Sequence, residues 1–77
     1  LALYHLKRLR EAEEALRLAL SLDPGLGMAY YNLGLVFVAQ GRQEEARRVF
    51  QRAQELGADP LLVEAARERL RGLGVFP

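Results

Sequence analysis

The side chains able to do chemistry are few, and their spacing does not serve it. His5 is the single histidine and cysteine is absent, so a metal ion would meet no second nitrogen and no thiolate. His5 therefore reads as a surface or rim residue. Ser21 has no histidine placed beside it as a base, and it precedes an Asp-Pro corner where polar side chains belong anyway. The glycines never take a phosphate-cradling order, and Gly72-Leu73-Gly74 reads as a helix stop. The chain is expected to be no enzyme, with no catalytic, cofactor-binding or metal-binding residue.

Arginine offers a different chemistry. Arg42, Arg47, Arg48 and Arg52 form one group, and Arg67, Arg69 and Arg71 another. Helical repeats that read single-stranded RNA exist. Here Glu44, Glu45, Glu55, Glu64 and Glu68 are interleaved with the arginines and cancel a phosphate-attracting stripe. A solvated outer face is the expectation, and nucleic acid is not the expected partner. The favourable i,i+4 pairs are Glu13–Arg17 and Glu44–Arg48, each with the acid on the N-terminal side.

These groups need elements to hold them, and 77 residues suffice for one small domain. A 51% hydrophobic share supports a core, and a net charge of +1 creates no global field toward polyanions or membranes. No apolar run approaches the roughly 20 residues that span a bilayer, and no signal-peptide pattern is present. No membrane insertion is expected, and a cytoplasmic location is, although no residue specifies a compartment. The chain opens at Leu1, without Met, inside an amphipathic pattern, and is expected to be a piece of something longer. Lys7 is the only lysine, an arginine bias that suits a GC-rich bacterial source.

An internal repeat organises the chain. Lys7–Ala12 aligns with Gly41–Ala46, and Ala12/Ala46, Leu16/Phe50, Ala19/Ala53 and Leu22/Leu56 are each 34 residues apart. Two Asp-Pro steps, Asp23-Pro24 and Asp59-Pro60, follow 36 residues apart. Apolar residues at Leu9, Ala12, Leu16, Ala19 and Leu20 make one helical stripe, and Ala46, Val49, Phe50 and Ala53 repeat it. Asp23 and Asp59 can cap the helices that follow, with Pro24 and Pro60 at the first helical position. Gly41 and Gly57 suit left-handed helix ends. The pattern predicts a short helix ending near Lys7, then helices at about 9–22, 25–40, 43–56 and 60–71, with no strand.

The run Tyr30-Tyr31-Asn32-Leu33-Gly34-Leu35-Val36-Phe37, followed by Gly41, Ala46, Phe50 and Ala53, resembles the tetratricopeptide repeat. Tyr30 stands where that family most often has Trp; the other slots match. Gly34, Ala46 and Ala53 would admit close helix approach, and Tyr30, Phe37 and Phe50 would fill the remaining volume. The resemblance implies an all-α fold, an antiparallel helix-pair solenoid. Its expected parts are a partial repeat at 1–24 with a truncated leading helix, a complete repeat at 25–58, a cap helix at 59–71 and an apolar tail at 72–77. Fewer than three complete repeats points to further repeats or to partner chains over the open ends.

The resemblance also implies a function, binding a partner peptide or helix in the concave groove that leading helices line. On the complete repeat the groove side would carry Met28, Tyr31, Asn32, Leu35, Val38 and Ala39, and the truncated one would add Leu1, Tyr4 and His5. Asn32 matches an asparagine that many family members use to hold a peptide backbone. No basic residue occupies this face of the complete repeat, which departs from the variety that clamps a terminal carboxylate. The bland reading is that Leu35 and Val38 simply pack against a neighbouring repeat. The alternative function is a self-associating assembly fragment, a homo-oligomer, through Leu1, Leu3 and Leu6 at one end and Leu73, Val75 and Phe76 at the other. The tail 72–77 reads equally as an anchor, through Phe76, or as a linker. An RNA-binding repeat is the third reading.

Overall fold

The computed structural model describes residues 2–57 and 59–73, with side chains from Leu6 onward. The described residues form α1 (Ala2–Leu22), α2 (Gly27–Ala39), α3 (Gln43–Leu56) and α4 (Pro60–Gly72). Consecutive helices pack as neighbours, α2 and α3 most extensively, and α4 also touches α2. The axis of α1 lies against α2 and stays clear of α3. No strand occurs among the described residues.

The core sits where α2 crosses α3. Leu33 and Phe37 of α2 meet Ala46 and Phe50 of α3, and all four are buried. Gly34 makes this crossing possible: a Cβ there would lie 2.5 Å from Phe50 Cε1 and 2.6 Å from Cζ. The small residue brings the helices together, and the Phe50 ring occupies the space its missing side chain leaves. Leu62 and Ala66 of α4 are buried, while Leu61 on the opposite side is 80% exposed. That two-sided character is the mark of a helix packed on one face.

Three helix ends follow the expected chemistry. Gly41 and Gly57 adopt φ values of +78° and +57°, which favour glycine. Asp59 caps α4, its side chain accepting from the Leu61 N–H at 3.0 Å, with Pro60 in the first turn.

Three expectations need correction. The first pair of helices is one: α1 runs unbroken through Lys7 and Arg8. The second unit breaks at Gly41, which takes a left-handed conformation, whereas Lys7 at the aligned position favours continuing the helix. Secondly, α2 begins at Gly27, not near 25, and Leu26 at its N-cap makes no side-chain cap. Asp23 instead accepts from the Gly25 N–H at 3.2 Å, and the Leu26 N–H bonds the Asp23 carbonyl at 3.2 Å, closing a turn over Pro24-Gly25. Flexible Gly25 allows the turn that Leu61, one residue after Pro60, does not invite. Thirdly, Glu44 pairs with Arg47 rather than Arg48.

Candidate functional site

Two surfaces flank α2. On one side its Tyr30, Leu33 and Phe37 form the floor of a cleft between α1 and α3, with a volume of about 430 Å³. Leu20 and Val49 line the walls, and Arg17, Glu45 and Arg48 supply charge. Ser21 also borders it, with its hydroxyl donating to the Leu18 carbonyl at 2.7 Å, a local helix bond.

An ionic clasp stands at one end of this cleft. The Glu13 carboxylate accepts from Arg17 Nε at 3.0 Å, Gln40 Nε2 at 3.3 Å and Arg42 Nη1 at 2.9 Å. Arg42 also grips Glu45 with two parallel bonds of 2.8 and 2.6 Å, a fork-to-fork geometry. Its guanidinium lies 4.4 Å from the Phe37 ring centroid, a cation–π contact. Burial works to raise the Glu13 pKa, but the hydrogen bonds from Arg17, Gln40 and Arg42 outweigh it and hold the carboxyl below its ordinary value. The Arg42 hydrogen bond likewise lowers Glu45, and Arg42 is itself raised, chiefly by Glu45.

The other side of α2 carries the residues expected to line a groove. Met28 is 51% exposed, and Asn32 and Val38 are exposed too. The Asn32 side chain makes no hydrogen bond among the described residues. Tyr31 and Leu35 are half-buried and pack against the core. The Tyr31 ring tilts against Phe50 with centroids 5.5 Å apart, so it serves packing as well as the surface. Tyr4 and His5 belong to α1, but their side chains, like Leu1 and the tail residues Val75 and Phe76, lie outside the described residues.

Sequence reasoning missed Arg69. From α4 it reaches across to α2 and donates its Nε–H to the Tyr31 hydroxyl at 3.2 Å. It has no carboxylate within ion-pair distance among the described residues, unlike Arg47, Arg52, Arg67 and Arg71. The α2 face thus gains a cation from the neighbouring helix, beside a pocket of about 170 Å³ bordered by Val38, Phe50, Glu68 and Leu73. Its signal was available: Arg69 falls where an apolar repeat residue was needed, so it had to leave the core.

Consecutive packed helices, a glycine at the α2–α3 crossing and an exposed face on α2 suit a helical-repeat scaffold. Models of the tetratricopeptide repeat match residues 1–26 and residues 27–59, and the chain belongs to that family. Comparison with curated proteins and with solved structures gave no match. Tetratricopeptide repeats are protein–protein interaction modules built on a non-catalytic scaffold. None of the described helices is long and apolar enough to cross a membrane.

Proposed function

We propose that the chain binds a partner peptide or helix along the α2 face marked by Met28, Asn32, Leu35 and Val38, with Tyr31 and Arg69 at its edge. The observation that carries this reading is Asn32, an exposed amide with no hydrogen-bond partner among the described residues, one turn from exposed Met28. An amide offers both donor and acceptor to a peptide backbone, and the flanking methionine adapts to apolar side chains. The Arg69 guanidinium favours an acidic residue beside the apolar anchors. The family supports binding in general; the occupant's chemistry follows from these side chains.

The test is selection of a displayed peptide library on the chain. Apolar sequences bearing one acidic residue are expected, and Asn32→Ala and Met28→Ala should each weaken them about tenfold with helicity unchanged. Tyr31→Phe is the suitable aromatic variant, because Tyr31→Ala would also remove packing on Phe50. Peptides that bind both surface variants as tightly as the parent would place the site elsewhere.

A further inference from the structure

The outer face of α1 carries a charge pattern that the rest of the molecule does not share. Glu13, Glu44, Glu45, Glu55, Glu64 and Glu68 all stand in ion pairs with arginine. Glu11 and Glu14 do not, and neither do Lys7 and Arg10; these four make no ion pair among the described residues. All four are exposed, and together with Leu6 they surround one shallow depression. Within the helix their i,i+4 partners run Lys7 to Glu11 and Arg10 to Glu14, with the cation first, the weaker of the two orientations.

The order along this face is basic, basic, acidic, acidic. Such a sequence complements itself when reversed. If two α1 helices lie antiparallel about an axis between residues 10 and 11, Lys7 meets Glu14 and Arg10 meets Glu11. Each pairing occurs twice, as a two-fold interface requires. Leu18, 62% exposed, lies on the same helix face one turn beyond Glu14, so an interface here also covers apolar surface.

We propose that the outer face of α1 is a dimer interface whose occupant is the same face of a second copy of this chain, held antiparallel by Lys7–Glu14 and Arg10–Glu11 ion pairs. This face is separate from the α2 surface, so a dimer formed here leaves Met28 and Asn32 open to a partner.

Light scattering on the 77-residue chain from about 10 μM to about 1 mM tests it. The mass should climb from the 8.7 kDa of one chain toward that of two, and added salt should lower it. Glu11→Lys/Glu14→Lys and Lys7→Glu/Arg10→Glu should each weaken self-association at least about tenfold, since like charges then face each other. Mixing the two variants should restore a 1:1 dimer. Circular dichroism establishes that both variants keep their helicity. A chain that stays monomeric throughout, variants that associate as the parent does, or a mixture that fails to pair would each overturn the proposal.

Discussion

Replacing Gly34 with alanine should destabilise the protein, although the same change in an open helix stabilises. The new Cβ would meet three atoms of the Phe50 ring at 2.5, 2.6 and 2.7 Å. Carbon atoms rest about 3.5–4.0 Å apart, so roughly 1 Å of movement is needed. Phe50 is 0% exposed and flanked by Leu33, Phe37 and Ala46, so the ring can shift only by displacing these neighbours or towards the small pocket beside Val38 and Leu73. Overpacking of this kind costs about 1–3 kcal/mol, and alanine's helix preference returns about 1 kcal/mol. The overlap involves a rigid ring, so a net loss of about 1–2 kcal/mol is expected. For a domain of this size that lowers Tm by roughly 5–15 °C, read by thermal circular dichroism. Gly72→Ala is the control: nothing lies within 4 Å of its Cβ position, and its Tm should hold or rise slightly. Phe50→Leu should cost less in the Gly34→Ala background than in the parent, with a coupling of at least about 0.5 kcal/mol. A Gly34→Ala protein as stable as the parent would refute the close-crossing argument.

Two further outcomes follow from the caps and the clasp. Asp59→Ala removes the acceptor for the Leu61 N–H and should lower stability by about 1 kcal/mol, measured by urea titration. Glu13 and Glu45 have folded pKa values below the ordinary 4.5, so their contribution is full above the unfolded value and is lost as pH falls through the folded one. Urea midpoints should therefore decline on acidification below about pH 5, and Glu13→Gln should flatten that decline. An identical acid limb in parent and variant would show that the clasp contributes nothing.

The helices α3 and α4 were legible because every local signal agreed. Amphipathic spacing, Gly57 and the Asp59-Pro60 cap all point to the same boundaries. Ala46 and Phe50 were readable as packing slots because the 34-residue register aligns them with Ala12 and Leu16, and Gly34 because Leu33-Gly34 resembles the repeat signature. The continuous α1 was missed because the family pattern implied a break at Lys7, while the residue itself carries no breaking tendency. The start of α2 was missed because an Asp-Pro step serves equally as a cap or as a turn, and the following Gly25 decides between them. On the α2 face, exposure of Met28 and Asn32 follows from helical phase alone. The Arg69–Tyr31 contact spans 38 residues and depends on how α4 leans on α2, which no local pattern encodes.

The clasp at Glu13 has a consequence for shape. Because the axis of α1 rests on α2 and stays clear of α3, the cleft between α1 and α3 stands like an open book, with α2 as its spine. The Glu13–Arg42 ion pair closes the covers at one edge, and Arg42 is anchored in turn by Glu45 and the Phe37 ring. The Glu13 carboxylate at the mouth of the cleft thus fixes the angle between α1 and the α2–α3 pair, and added salt should loosen it.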